Sequence, residues 1–139
     1  MTAAIPSDLR AQAHRLDQAR CAYCQTPEDW TITAFEIDHI IPVSAGGQAT
    51  LENLCLTCPA CNRFKAARQI ATDPDTGRAV ALYHPRRQEW SMHFMWSSDR
   101  LHVLGITPTG RATAEALRMN RPQLVNLRRL WAKMGVLPE

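Results

Sequence analysis

The sequence predicts a single α+β domain: an N-terminal helix, a strand–loop–strand–helix unit, a short β-rich segment and two closing helices. Three observations carry that expectation. Two Cys-x-x-Cys pairs, Cys21 with Cys24 and Cys58 with Cys61, bracket the central unit like a staple. The stretch from Trp30 to Ile37 is rich in Thr, Ile and aromatic residues, the composition of a strand. Pro59 and Pro122 stand where a first helical turn tolerates a missing N–H. The core is placed at residues 21–70 and a C-terminal extension at 71–139, within one domain spanning 1–139.

Taken in order, Ser7 or Asp8 is expected to cap a helix carrying Leu9, Ala13, Leu16 and Arg20 towards the first cysteine pair. A loop with Pro27 leads into the strand Trp30 to Ile37, and Pro42 takes the chain out of it because proline cannot donate to a sheet ladder. Gly46-Gly47 hinges a polar turn, Leu54 to Leu56 makes a second small strand, and Pro59 opens a helix running to about Gln69. Asp73-Pro74-Asp75-Thr76-Gly77 is a turn. Val80 to Tyr83, Trp90 to Trp96 and Leu101 to Ile106 read as short strands, with a hairpin turn at Ser97-Ser98-Asp99. Thr107-Pro108 opens one helix. Asn120-Arg121-Pro122-Gln123 offers a cap and a first-turn proline to the last, whose apolar stripe is Leu124, Leu127, Trp131 and Met134.

Composition narrows the partners. With 45% hydrophobic and 21% charged residues over 139 positions, the chain has the make-up of a globular protein, not a disordered one. Net charge is only +3, yet Arg111, Arg118, Arg121, Arg128, Arg129 and Lys133 face a single acid, Glu115, between Thr107 and Met134, which favours a polyanionic partner. No apolar run has signal-peptide or membrane-spanning character, so a cytoplasmic location is expected. Five cysteines in such a chain are better read as metal ligands than as disulfides.

A Cys-x-x-Cys turn lets two thiolates converge on one ion, and two such turns make a four-cysteine zinc site from Cys21, Cys24, Cys58 and Cys61. Four sulfurs leave no open coordination position, so this zinc is expected to be structural, contributing on the order of 10 kcal/mol to folding. Cys55 is left over as a packed thiol. Residues 25–57, between the pairs, are too many for a plain zinc ribbon and must carry an insert with its own purpose.

That insert holds a different chemistry. Asp38 offers a carboxylate, His39 an imidazole that titrates near cellular pH, and Asn62 an amide oxygen. Hard oxygens suit Mg²⁺ or Mn²⁺, and a base beside such an ion can activate water. For adjacent Asp38 and His39 to serve one site, the strand has to end there.

These residues resemble the HNH endonuclease family, whose core is the ββα-metal (His-Me finger) motif. The likeness covers about Cys21 to Lys65: a thiol pair, Asp-His-Ile-x-Pro, Gly-Gly, Asn-Leu, and Cys-x-x-Cys-Asn-x-x-Lys. The resemblance implies a metal-dependent nuclease that hydrolyses DNA phosphodiesters, leaving 5′-phosphate and 3′-hydroxyl ends. It implies His39 as general base, Asp38 and Asn62 as ligands of a catalytic Mg²⁺ or Mn²⁺, and Asn53 as the brace that orients His39 through the backbone. Asn62 stands where many members have His. The segment Tyr83-His84-Pro85-Arg86 and Trp90 to Phe94 looks like the extension of small stand-alone bacterial HNH proteins, and implies no site.

Arg63, Lys65 and Arg68 would line the helix beside the metal and meet DNA phosphates, mainly as backbone contacts; a solvated helix face explains them equally well. Arg86-Arg87 and the basic last helix stand under the same two readings. His14, His84, His93 and His102 are expected to be packing or surface residues, and Glu36 a solvent-facing strand carboxylate. The rival reading is a non-catalytic zinc-ribbon module that binds nucleic acid or protein. It accounts for the thiols and the basic tail but gives no reason for the spacing of Asp38, His39, Asn53 and Asn62. A redox dithiol protein fails on the same residues.

Overall fold

The structure, a computed structural model, describes residues 4–136. Its centre is a two-stranded antiparallel hairpin, β1 (Glu36–His39) and β2 (Leu54–Thr57), held between a helix on each face. The register pairs Glu36 with Thr57, Ile37 with Leu56, Asp38 with Cys55 and His39 with Leu54. Side chains alternate across a strand. Ile37 and Leu56 therefore face helix α1 (Ser7–Leu16), sharing a hollow with Arg10, Ala11 and His14. Glu36 and Asp38 take the other face, under helix α2 (Pro59–Lys65).

Helix α1 is shorter than expected. Neither Ser7 nor Asp8 caps it; Pro6 is the N-cap, and Asp8 sits in the first turn, where a negative charge favours the helix dipole. Gln18 and Ala19 take positive φ and end the helix before Arg20. Asp17 thereby swings inward: its carboxylate accepts from the Leu56 N–H at 2.7 Å and pairs with both Arg86 guanidinium nitrogens at 2.7 and 2.9 Å. One buried ion pair ties α1, β2 and the C-terminal extension together.

The strand expected from Trp30 forms only from Glu36. Glu28–Trp30 is a short 3-10 turn, and Ile32 stands fully in solvent. Strand-like composition is decided by burial, and this loop buries none of its β-branched side chains. Helix α2 stops at Lys65 instead of Gln69, because Ala66 adopts φ +51°. The chain released there forms a strand the sequence did not announce, β3 (Ile70–Thr72), paired with β4 (Ala79–Ala81) across the expected turn. Asp73 in that turn is buried. It accepts from the Asp75 N–H and the Thr76 hydroxyl and is gripped by Arg111 at 2.9 and 3.0 Å, which holds its carboxyl well below the usual carboxylate range.

Strands β5 (Phe94–Trp96) and β6 (Val103–Gly105) make the third hairpin, with Trp90–Met92 a 3-10 turn instead of the start of a strand. Helix α3 (Pro108–Ala116) is capped as expected by Thr107, whose hydroxyl accepts from Gly110 N–H. Gly110 also lets α3 press onto the hairpin, since a Cβ there would overlap the carbonyl of His93. Helix α4 (Pro122–Lys133) has Arg121 at its N-cap. Asn120 instead bonds both backbone groups of Val103, at 2.7 and 2.8 Å. Leu124 and Trp131 are buried as expected, Met134 is exposed, and the stripe continues through Arg128.

Arg128 is fully buried. It donates to the carbonyls of Leu101 and Met119 and to Asn120, and lies 5.0 Å over the Trp96 ring. With Arg111 on Asp73 and Arg128 inside, the basic C-terminal face is narrower than the sequence suggested. The buried cluster runs from the cysteine knuckle through Tyr83, Phe94, Val103, Leu117 and Leu124, so core and extension share one apolar interior. Among the described residues no helix is long and apolar enough to cross a membrane.

Candidate active site

The first cysteine pair sits on a tight knuckle. Cys21 N–H bonds the Thr26 carbonyl, Gln25 at φ +64° donates back to Cys21, and Ala22 N–H bonds Leu56, which pins the knuckle to β2. The second pair sits at the start of α2, where Cys58 is the N-cap and its sulfur accepts from Cys61 N–H at 3.4 Å. Chain reversal brings the four sulfurs of Cys21, Cys24, Cys58 and Cys61 within 4.8 Å of one another, all buried and none in a disulfide. Zinc–sulfur bonds of about 2.3 Å in a tetrahedron put sulfurs about 3.8 Å apart. Cys24 and Cys58 stand at 3.8 Å. The donor set and its spacing fit a structural zinc.

The four thiols are not equivalent. Burial pushes the Cys21 thiol up, while hydrogen bonds from the other three thiols and from the Thr26 hydroxyl pull Cys24 down. The Arg121 guanidinium lies 3.7 Å from the Cys58 sulfur, placing a positive charge beside the thiolates. Cys55 is buried outside the cluster, its thiol pushed up by burial, as expected of a packed residue.

Asp38 and Asn62 lie on the two sides of the seam between β1 and α2, and His39 follows Asp38 as the last residue of the strand. Residues three apart on a helix share a face, so Asn62 and Lys65 both look down on β1. Asn62 donates its Nδ2 to Glu36 at 2.7 Å, and Lys65 pairs with Asp38 at 3.0 Å. A carboxylate can only accept, so Glu36 fixes the amide with its nitrogen inward and leaves the Asn62 carbonyl oxygen free to bind elsewhere. Burial raises the Asp38 carboxyl above its ordinary value, and the Lys65 ammonium acts against that rise.

His39 is the last residue of β1 and is still paired with Leu54, so alternation sets its side chain on the face opposite Asp38. The His39 ring is half-buried, and its Nε2 is closed to solvent with no hydrogen-bond partner among the described residues. Asn53 sits at the end of the loop that follows. Its Oδ1 accepts from Ile41 N–H at 2.8 Å, and its Nδ2 donates to the carbonyls of Ile41 and Gln48, both at 3.0 Å. Ile40 N–H bonds Asn53's own carbonyl at 2.8 Å. One amide thus closes residues 41–48 into a fixed loop directly after His39. Gly47 belongs to that closure, since a Cβ there would collide with the Ile41 carbonyl.

The three cations expected to meet phosphates fare differently. Lys65 is 1% exposed and spends its ammonium on Asp38 and on the His39 carbonyl at 3.3 Å, so it holds the site from within instead of facing DNA. Arg63 is exposed on α2. Arg68 is exposed but lies beyond the helix, bonded to the carbonyls of Phe64 and Ala116. Sequence reasoning missed the Lys65–Asp38 pair; Glu36 is exposed, as expected, and what the sequence reading did not give is its bond to Asn62. The spacing offered a signal for both: Glu36 and Asp38 two apart on a strand, Asn62 and Lys65 three apart on a helix.

Comparison with curated proteins finds no match to this chain. Comparison with protein families does: residues 21–68, from the first zinc-knuckle cysteine to just past α2, match the HNH endonuclease family. The matched span contains the four converging sulfurs, the β1–β2 hairpin, Asn53 and the Asn62 face of α2. Residues 21–68 are thus similar to an HNH endonuclease domain, and the four cysteines placed to hold a metal are consistent with its zinc-knuckle form.

Proposed function

We propose that the protein is a metal-dependent endonuclease that hydrolyses DNA phosphodiesters at the β1–α2 seam. The observation that carries this reading is that the fold lays Asn62 over the Glu36–Asp38 face of β1, with the amide oxygen left free by Glu36. In this reading a carboxylate and an amide oxygen, distant in sequence, are carried on facing elements, with His39 one residue along β1 from the carboxylate. A zinc-ribbon binding module would not need that arrangement.

His39 is the general base. In the proposed step its Nε2, closed to solvent in the free protein and without a partner among the described residues, is opened to a water molecule and takes its proton, and the oxygen attacks phosphorus. Asp38 and Asn62 would hold Mg²⁺ or Mn²⁺, which supplies charge neutralisation at the phosphate and the departing 3′-oxygen. Lys65 keeps the Asp38 carboxylate and the His39 carbonyl in fixed relation. Asn53 holds the loop after His39, so the imidazole is aimed by backbone and not by a side-chain partner. The four-sulfur zinc site takes no part in bond breaking; it fixes the start of α2, and with it Asn62. DNA contacts are to phosphate and sugar, so sequence preference is weak and binding falls with salt.

The test is a nicking assay. Zinc-loaded protein is incubated with supercoiled plasmid and Mg²⁺ or Mn²⁺ beside a His39→Ala control. Conversion to open circles by the parent alone supports the reading. Nicking that survives the substitution removes His39 from the role of base, and no nicking with either metal favours the binding module.

A further inference from the structure

The C-terminal extension has no part in the site as described, yet it forms one wall of a cleft that adjoins it. The cleft, about 300 Å³, lies between Ile40, Ile41 and Lys65 on the core side and His84 and Arg87 on the other, with Arg68 at the junction. Lys65 is the residue that grips Asp38, so the cleft borders the catalytic seam.

His84 is set up as a hydrogen-bond donor. Its Nδ1 accepts from the backbone N–H groups of Arg86 and Arg87, both at 3.2 Å. A ring nitrogen that accepts carries no proton, so the neutral ring has its proton on Nε2. Burial pushes the imidazole pKa down and the Arg87 charge adds to the effect, which keeps the ring neutral at neutral pH. With Nδ1 held by its own turn, Nε2 points away from that turn. This Nε2 is closed to solvent and has no partner among the described residues. Buried donors without an acceptor are rare in folded proteins and call for an explanation. The charged side chains lining the cleft with it, Lys65, Arg68 and Arg87, are all cationic, beside apolar residues and the neutral Gln69, Tyr83 and Gln88, and Arg87 is exposed at its rim. The cleft's charge favours an acceptor that is negative.

We propose that this cleft is a phosphate subsite in which His84 Nε2–H and the Arg87 guanidinium bind oxygens of a DNA backbone phosphate flanking the one cleaved. Arg87 draws the phosphate to the rim, and the same phosphate shifts the cleft wall that closes His84 Nε2 to solvent and meets the donor there. The extension then positions the strand across the β1–α2 seam. The inference rests on the nuclease reading above.

The two side chains leave different signatures. Asn places its Oδ1 where Nδ1 of His84 lies, so His84→Asn keeps the turn bonded and removes only the Nε2 donor. Arg87→Gln removes one cation. Affinity for a short fluorescein-labelled duplex is measured by anisotropy over a salt series, in the His39→Ala background without added divalent metal. His84→Asn is expected to weaken binding about tenfold with an unchanged salt slope, because a neutral donor releases no counterion. Arg87→Gln is expected to weaken binding and to lower the slope by about 0.9. If both variants bind like their parent while the wild-type protein nicks plasmid, the subsite is wrong and the nuclease reading stands. If wild-type protein neither nicks nor binds duplex, the nuclease reading fails and takes the subsite with it. Stabilisation by inorganic phosphate that His84→Asn abolishes, with duplex affinity unchanged, would make this a free-phosphate site and overturn the proposal.

Discussion

Lys65→Met tests the seam at its most buried point. Lys65 is 1% and Asp38 8% exposed, and their charges sit 3.0 Å apart. Methionine fills about the same volume but leaves Asp38 as a buried carboxylate without a counter-charge and removes the bond to the His39 carbonyl. Breaking such a pair from one side costs about 3–5 kcal/mol. That is a large share of the roughly 5–15 kcal/mol that holds a domain folded. For a chain of this size it corresponds to a melting temperature lower by about 10–20 °C. The assay is thermal melting of zinc-loaded protein, with zinc content measured on the same sample. The double variant Lys65→Met, Asp38→Leu removes both charges and is expected to recover most of the loss, since two apolar side chains replace a desolvated pair. Melting of Lys65→Met within about 3 °C of the parent would refute the idea that desolvation of this pair governs the seam.

The remaining predictions address the zinc, the loop and the extension. Cys58→Ser keeps a good N-cap for α2 and removes one thiolate, so it should lose zinc and melt well below the parent; equal melting with zinc retained would rule out the four-sulfur assignment. Asn53→Ala removes three hydrogen bonds at Ile41 and Gln48 and should cost about 2–4 kcal/mol, read by denaturant unfolding and by faster amide exchange at Ile41. Arg111→Gln tests the β3–β4 turn through pH. Arg111 holds the Asp73 carboxyl below its unfolded value, so the pair stabilises the fold above about pH 4 and loses that contribution as pH falls towards the folded value. The stability gap between parent and variant should therefore narrow as pH is lowered through the acid range, and a gap independent of pH would contradict the pairing.

Most of the unit at residues 21–68 was legible because its residues are constrained twice, by type and by interval. Two Cys-x-x-Cys turns converge whatever lies between them, and Asn53 has one geometry in which a single amide can close the loop after His39. What escaped the sequence was decided by burial. The Trp30–Ile37 stretch has strand composition, but only Glu36 and Ile37 in it find a partner, in β2. Strand β3 exists because Ala66 breaks the helix early, and an alanine at positive φ carries no sequence signal. Lys65 and Arg128 were read as surface cations by default. Each is buried because the fold places an acceptor at the end of its side chain: Asp38 for one, the carbonyls of Leu101 and Met119 for the other.

The central claim is a division of labour, sulfur ligands for shape and oxygen ligands for hydrolysis. Its most direct test is plasmid nicking as a function of Mg²⁺ concentration by parent, Asp38→Asn and Asn62→Ala, each first shown to hold one zinc per chain. The account predicts that both variants keep their zinc and lose nicking at Mg²⁺ concentrations that saturate the parent. Undiminished nicking by both variants at full zinc occupancy would contradict it.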